Sequence, residues 1–145
     1  MPGKCTMCEQ PRHRKRFMRK MLVPREFTNI PDQWHFAPIV DTGEFVFFSG
    51  ITGVHPDGSL SDNPETQFRD TFRFVAIHLE TAGLQFDDIV EMTTYHVGLR
   101  KHLHTFIAVK DEYIKAPYPA WSAIGITELI TEGTLAEIRI IAKRQ

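Results

Sequence analysis

One strand-like segment of the chain lies between two segments with helical periodicity, and this order restricts the fold more than any other feature. The middle segment, Asp88–Val97, is rich in β-branched residues. Before it, Asn63 is suited to cap a helix, Pro64 to begin one and Gly83 to end it. After it, an apolar stripe predicts a second helix from about Lys101 to Lys115.

Strand-like segments flank this unit on both sides. The stretch FTNIPDQWHFAPIVDTGEFVFFSG predicts short strands separated by turns, with Asp41-Thr42-Gly43 joining Ala37–Val40 to Glu44–Ser49 in a hairpin. Toward the C-terminus, Trp121–Thr127 and Leu135–Ala142 predict the last two strands. The predicted order β-β-β-α-β-α-β-β is that of an α+β domain with one mixed sheet and two helices on one face.

The last strand is apolar on both sides. Leu135 and Ile141 project from one face of it, and Ala136, Ile138 and Ile140 project from the other. Two crossover helices would cover only one face of the sheet. Because an uncovered apolar face is usually covered by another subunit, the sequence predicts an obligate oligomer.

Charge divides the chain into a tail and a body. Residues 1–20 carry seven basic and one acidic side chain, which leaves 10 basic and 17 acidic side chains in residues 21–145. We predict a basic, disordered tail over 1–20 and a single domain over 21–145. A domain with this excess of acidic side chains is unsuited to binding the phosphate backbone of a nucleic acid. Nucleic acid binding is therefore expected only through the tail. The basic N-terminus has no apolar block, and no apolar run is long enough to span a bilayer, which predicts a cytoplasmic location.

The sequence predicts neither a metal site nor a bound cofactor. Cys5 and Cys8 form one CxxC pair, and His13 is the only further ligand nearby. His102 and His104 lie two apart on a predicted helix, so they point to different faces and are expected at the surface. The stretch SGITG has the spacing of no phosphate-binding loop and is interpreted as a plain turn.

Three polar residues on predicted strands have both a structural and a chemical interpretation. Glu137 and Arg139 project from the same face of the last strand, where they form either a cross-strand salt bridge or part of a cleft. His96 alternates with Tyr95, so one of the two is buried. A histidine of the core or of an interface is favoured there over a general base.

Four segments in order, FVFFSGITG, GLQFDDIVEMTTYHV, YPAW and AEIRIIAKR, resemble the Rid/YjgF family of reactive-intermediate imine deaminases, formerly described as endoribonuclease L-PSP. The resemblance covers the chain from about Trp34 to Arg144. It implies a chorismate-mutase-like homotrimer with small-molecule clefts between subunits. It also implies hydrolysis of imines such as 2-aminoacrylate to keto acids and ammonia.

The resemblance also implies a set of site residues. Glu137 matches the glutamate that positions water, and Ser49 and Gly50 match a turn that lines the pocket. Phe36 stands where the family has a tyrosine, and Trp121 stands where it has an arginine that holds the substrate carboxylate. The predicted substrate-binding set also contains Tyr118 and Arg139.

Trp121 argues against the activity of a standard 2-aminoacrylate deaminase. An indole has one N–H donor and no charge, so it cannot replace the arginine that holds the substrate carboxylate. In one interpretation, Trp121 and Phe36 form an aromatic pocket with Glu137 as acid and base and Arg139 as a substitute cation. In the other, Trp121 fills an inactive cleft and stabilises the trimer. Burial would raise the pKa of Glu137 and Arg139 would lower it.

The predicted function is therefore that of a hydrolase or deaminase acting on an imine, enamine or related metabolite other than 2-aminoacrylate. The alternatives are a non-catalytic, metabolite-binding trimer and an RNA-binding or endoribonuclease-like protein.

Overall fold

The structure, a computed structural model, describes residues 18–145. The CxxC pair at Cys5 and Cys8, His13 and nearly all of the predicted basic tail lie outside these residues. The first strand begins at Lys20, next to the predicted boundary of the domain.

The described residues form seven strands, three α-helices and two short 3₁₀ helices, Arg25–Phe27 and Phe86–Asp88. The strands are β1 Lys20–Leu22, β2 Ile39–Asp41, β3 Phe45–Phe48, β4 Ile51–Thr52, β5 Ile89–Val97, β6 Ala120–Ile126 and β7 Ala136–Lys143. The α-helices are α1 Ile30–Trp34, α2 Pro64–Thr81 and α3 Leu99–Tyr113.

All seven strands belong to one mixed sheet with the order β1-β2-β3-β7-β5-β6, and β4 also pairs with β7. The parallel pair is β5 and β6, which α3 connects, and the other pairs are antiparallel. A parallel pair needs such a crossover because a tight turn cannot bring the chain back in the same direction. The single mixed sheet predicted from the sequence is confirmed.

Helix α2 begins and ends where its sequence predicts. The Asn63 side chain accepts a hydrogen bond from the Thr66 backbone N–H at 2.9 Å, and Pro64 is the first helical residue. After the helix, Gly83 has a φ of 70°, a left-handed conformation that glycine adopts without strain. The buried face of α2 includes Phe68 and Phe72.

Helices α2 and α3 pack together on one face of the sheet. The Phe68 and Phe106 rings meet edge to face with centroids 5.3 Å apart, and Phe72 stacks on Tyr113 at 5.1 Å. Beneath them lie the buried residues of β7, which are Ala136, Ile138, Ile140 and Ala142. The α+β fold class with two helices on one face is therefore confirmed.

Helix α1 is an addition to the predicted elements. The sequence predicts strands through this region, and that prediction is wrong for Ile30–Trp34, which is helical. Pro31 favours the first turn of a helix, and His35 ends the helix in a left-handed conformation with a φ of 57°. The His35 N–H donates to the Pro31 carbonyl oxygen at 3.0 Å.

The opposite face of the sheet is bare in the described chain and partly apolar. The strand register places Val40, Phe47 and Ile141 on it, together with Tyr95 and Ile124. Ile124 is 41% exposed. The uncovered face expected from the sequence is thus present.

No helix within residues 18–145 is long and apolar enough to cross a membrane.

Candidate functional site

A cleft of about 540 Å³ lies where the β3–β4 turn meets helix α1, and it is the first candidate site. Three of the predicted site residues, Phe36, Gly50 and Glu137, line it together. Phe36 follows α1 and is 42% exposed, so its ring is available to a ligand. Ser49 supports the turn, because its hydroxyl donates to the Ala37 carbonyl oxygen at 2.7 Å.

Glu137 projects from β7 into this cleft and is half-buried. Its strand neighbours are Thr52 on β4 and Tyr95 on β5. Its side chain lies against Gly50, where a Cβ atom would overlap the carboxyl group. Burial raises the pKa of the Glu137 carboxyl, since desolvation disfavours the charged form.

Arg139 shares the bare face of the sheet with Glu137, as the spacing on the strand predicts, and it is exposed. Within residues 18–145, neither side chain forms a salt bridge. Arg139 is not among the causes of the pKa shift of Glu137, and it does not line the cleft. Of the two opposing influences on the Glu137 pKa, desolvation prevails in this chain.

Trp121 lies on the other side of the sheet. It pairs with the buried Met92 in the parallel β5–β6 register, and paired residues point to the same face. Glu137 pairs with Tyr95, the third residue after Met92, and therefore points the opposite way. One copy of the chain thus places Trp121 and Glu137 on opposite faces of the sheet.

Trp121 is held by contacts with three side chains. Its indole N–H donates to the Thr94 Oγ1 atom at 2.9 Å, and its ring stacks on Phe106 with a centroid distance of 6.3 Å. The Lys110 Nζ atom lies 4.9 Å from the ring centroid, within cation–π range. Trp121 still keeps 37% of its surface exposed.

A second cavity, of about 460 Å³, lies over this exposed surface. Trp121 and Tyr118 line it together with Lys110 and Met92. Tyr118 is 73% exposed. The predicted site residues that line a cavity therefore fall into two groups, one around Glu137 and one around Trp121, whereas Ser49 and Arg139 line neither cavity.

His96 is a core residue with one hydrogen bond. It is 1% exposed, and its Nε2 atom lies 2.7 Å from the Thr94 Oγ1 atom that also accepts from Trp121. Its Nδ1 atom has no partner among residues 18–145, and burial lowers the pKa of the imidazole. This environment matches a core histidine and not an exposed general base.

Two features of the first cleft are absent from the sequence-based set. His55 lines the cleft and lies 2.9 Å from a carboxylate oxygen of Asp70, and His78 forms part of the wall. His55 lies in the glycine-rich stretch after β4, which sequence reasoning treats only as a loop. Fifteen positions separate His55 from Asp70, so no local spacing marks the pair.

No cluster of three or more His, Cys, Asp or Glu residues suited to a metal ion occurs within residues 18–145. His102, predicted at the surface, is partly buried, and His104 is exposed.

Comparison with known proteins identifies the family to which this chain belongs. Residues 28–144 match the family model described as Endoribonuclease L-PSP, and the solved structures that resemble the chain include members of the YjgF family. The chain belongs to the Rid/YjgF family. The resemblance found in the four sequence segments is confirmed.

Relatives within the Rid/YjgF family cover most of the chain. The RutC family protein YjgH of Escherichia coli (strain K12) is 33% identical over 126 residues, which are 86% of this chain and 95% of that protein. A RutC family protein of Aquifex aeolicus (strain VF5) is 30% identical over 110 residues, 74% of this chain and 86% of its own length.

Two further solved structures resemble the chain. The structure of protein YJGH has a TM-score of 0.79 at 29% identity and covers 88% of this chain and 98% of its own. E. coli TdcF with bound serine has a TM-score of 0.69 at 30% identity, covering 76% of this chain and 88% of its own.

Proposed function

We propose that this Rid/YjgF protein hydrolyses an imine or enamine in the cleft around Glu137. The observation that carries the proposal is the state of the Glu137 carboxyl group. It is half-buried against Gly50 in a cleft of about 540 Å³, and its pKa is raised. A carboxyl group whose pKa lies closer to neutrality can both donate and accept a proton, as general acid–base catalysis requires.

Imine hydrolysis needs such a group twice. Water adds its oxygen to the imine carbon, and the nitrogen takes up a proton as the π bond breaks. The resulting carbinolamine then loses its hydroxyl proton, the C–N bond breaks, and ammonia leaves with a carbonyl product. In the first step Glu137 would donate a proton to the nitrogen and take one from the added water. In the second step it would accept the hydroxyl proton and donate a proton to the amine nitrogen, which leaves as ammonia, so the carboxyl group ends each step as it began.

The proposed substrate is not 2-aminoacrylate. TdcF, a relative at 30% identity, holds serine in its solved structure, which supports a small molecule as ligand. In this chain, however, the sequence resemblance sets Trp121 against the family arginine, and the indole N–H of Trp121 already donates to Thr94. Loss of a bidentate contact to a carboxylate costs about 2–5 kcal/mol in binding.

The proposed assembly is a homotrimer with clefts between subunits. Trp121 and Glu137 lie on opposite faces of the sheet, so a cleft that contains both needs two copies of the chain. The bare sheet face carries Phe47 and Ile141, which a neighbouring copy would cover. Light scattering tests this directly, and a monomer at micromolar concentration would contradict it.

The test of the function is hydrolysis of a panel of imines. Amino-acid and amine oxidases generate the imines, and semicarbazide traps those that survive. We expect the unmodified protein to hydrolyse at least one imine and Glu137→Gln to lose about 100-fold or more of that rate. Arg139→Gln, on the same strand and outside the cleft, is the matched control and should retain the rate. Equal rates for Glu137→Gln and the unmodified protein would refute the role of Glu137.

A non-catalytic, metabolite-binding trimer is the second candidate. The fixed position of Trp121 favours it, because the indole N–H is already bonded to Thr94 and the ring is packed on Phe106. Its signature is a ligand-induced rise in thermal midpoint without turnover of any imine. Trp121→Arg separates the candidates further: activity of that variant alone would indicate a scaffold whose imine chemistry has been lost.

A further inference from the structure

The cleft around Glu137 contains acidic groups and no permanent cation. Glu137 and Asp57 line it, whereas no lysine or arginine of residues 18–145 does so. Hydrogen bonds from the Ser59 hydroxyl and backbone N–H hold the pKa of Asp57 below its ordinary value, so Asp57 is ionised at neutral pH. A ligand carboxylate would meet like charge here without a guanidinium to bind it. One copy therefore offers a ligand carboxylate no cation in this cleft. The proposed second copy would bring Trp121 with Lys110, whose ammonium group is already paired with Asp111 at 2.7 Å, so neutral or cationic ligands are favoured.

The His55–Asp70 pair gives the cleft a second polar group. The His55 Nε2 atom lies 2.9 Å from Asp70 Oδ2, and the side chains of His55 and Asp70 are 36% and 9% exposed. Because a carboxylate can only accept, the tautomer that bonds Asp70 has its hydrogen on Nε2 and a lone pair on Nδ1. Nδ1 forms no hydrogen bond with any residue of 18–145. His55 therefore offers an acceptor to a donor group of the ligand.

The position of His55 is fixed from several directions. Its backbone N–H donates to the Ser59 carbonyl oxygen at 2.8 Å, and its carbonyl oxygen accepts from the Gly58 N–H at 2.8 Å. Its ring meets the Phe74 ring edge to face, with centroids 5.1 Å apart. The Arg73 Nη1 atom lies 3.3 Å from the second oxygen of Asp70, in a salt bridge between residues one turn apart on α2. An acceptor held in this way binds with little loss of side-chain entropy.

Aromatic side chains border the cleft near these polar groups. Phe27, Trp34 and Phe36 line it, and Phe27 packs on His78 with centroids 5.3 Å apart. Trp34 and Phe36 are 53% and 42% exposed. A flat, apolar part of the ligand would find its contacts on these rings.

We propose that the substrate of this cleft is an imine or enamine that lacks a carboxylate, has an aromatic body and carries a hydrogen-bond donor that binds His55. The substrate class is the imines of arylalkylamines, as distinct from the imines of amino acids. This inference rests on the proposed imine hydrolysis and names its substrate class. The product is then an aldehyde and ammonia, formed by the same addition of water and loss of nitrogen.

Four imines in matched pairs test the proposal. Amine oxidase generates them from tyramine and phenethylamine, and amino-acid oxidase generates them from tyrosine and phenylalanine, with semicarbazide as the competing trap. We expect kcat/KM for each amine-derived imine to exceed that of its amino-acid counterpart by about tenfold or more. Tyramine imine should exceed phenethylamine imine by about three- to tenfold, mostly through KM, because its hydroxyl donates to His55.

Variants at His55 separate ligand recognition from a structural role. His55→Phe should lower kcat/KM for tyramine imine to the value for phenethylamine imine, with kcat unchanged. His55→Gln keeps a hydrogen-bond acceptor and should restore part of the difference in kcat/KM. If both imines lose activity equally, His55 serves only to hold the loop and its proposed contact is wrong.

The outcomes also separate this inference from the proposed function. Faster hydrolysis of tyrosine imine than of tyramine imine would overturn the substrate class and leave imine chemistry in place. If the unmodified protein hydrolyses no imine faster than Glu137→Gln does, the proposed function fails. Calorimetric titration with tyramine and with tyrosine then decides: tighter binding of tyramine supports the cleft's selectivity, and equal or tighter binding of tyrosine overturns it.

Discussion

The carboxyl group of Glu137 fills the space into which a side chain at position 50 would project, so Gly50 and Glu137 depend on each other. Gly50→Ala should therefore displace the Glu137 side chain. We expect imine hydrolysis by Gly50→Ala to fall by about 10- to 100-fold, toward the level of Glu137→Gln. Stability should change by less than about 1 kcal/mol, because the flexible carboxyl end can move.

Gly53→Ala is the control for this prediction. A Cβ atom at Gly53 would lie 2.6 Å from the backbone oxygen of Gln67, which cannot move without shifting α2. We expect a lower thermal midpoint for Gly53→Ala and an unchanged pH profile of the remaining activity. If Gly50→Ala retained full activity, the position of Glu137 would not matter for the reaction.

The raised pKa of Glu137 gives stability a characteristic pH dependence. A carboxyl group whose folded pKa exceeds its unfolded value binds protons more tightly in the folded state, so stability falls as pH rises from about 4.5, the ordinary value. Above the folded pKa the full cost of burying the carboxylate is present. Glu137→Gln removes this cost and should raise the thermal midpoint at pH 7 by a few degrees.

Thermal melts of the two proteins from pH 4 to pH 8, at one protein concentration, check this prediction. The advantage of Glu137→Gln should shrink toward pH 4, where Glu137 is protonated in both states. An advantage that is constant across this range would mean that the substitution acts through packing and not through charge.

The sequence predicts the sheet and the two long helices well because local signals and tertiary packing agree there. Asn63 and Pro64 mark the start of α2 by capping chemistry that acts within one turn. The alternation of side chains along β7 is also a local signal, and it places the buried Ile138 and the half-buried Glu137 on opposite faces of the sheet. Helix α1 is missed because Pro31 is compatible with both a turn and a first helical turn, and only five residues are helical.

The candidate site is less accessible to sequence reasoning because its groups meet through tertiary structure. Glu137 and Gly50 come together through the pairing of β4 with β7. His55 contacts Asp70 only when the loop after β4 packs against α2. Likewise, no spacing along the chain indicates that Trp121 lies between Phe106 and Lys110, since these residues come from β6 and α3.

Trp121 should contribute to stability through its own contacts, whatever its role in binding. Trp121→Phe keeps an aromatic ring on Phe106 and loses the hydrogen bond to Thr94, which costs about 1 kcal/mol. Trp121→Arg also loses the cation–π contact and brings a guanidinium toward Lys110, so it should cost about 2 kcal/mol or more.

Adding Lys110→Met to each variant tests the charge argument in a double-mutant cycle. We expect Lys110→Met to recover part of the stability lost by Trp121→Arg and none of that lost by Trp121→Phe. The measurement is the urea midpoint at fixed protein concentration. Equal effects of Lys110→Met in both backgrounds would show that the ammonium group does not interact with position 121.

The C-terminal end of β7 should stabilise the domain through an ion pair that acid removes. The Arg144 Nη2 atom lies 2.7 Å from a carboxylate oxygen of Asp41 at the end of β2. This hydrogen bond, with a second from the Gly43 N–H, holds the pKa of Asp41 below its ordinary value of 3.8. Because the folded pKa is lowered, the stabilisation is present above pH 3.8 and is lost as pH falls through the folded value.

Arg144→Met should therefore lower stability at pH 7 by about 1 kcal/mol, with the difference from the unmodified protein shrinking at pH 3 and below. Lys143→Met is the matched control, because Lys143 lies 3.7 Å from Glu44 in an exposed pair. Such a pair contributes about 0.5 kcal/mol or less. Denaturant unfolding of the three proteins at both pH values gives the comparison. If Arg144→Met were as harmless as Lys143→Met at pH 7, the lowered pKa of Asp41 would have to come from the Gly43 N–H alone.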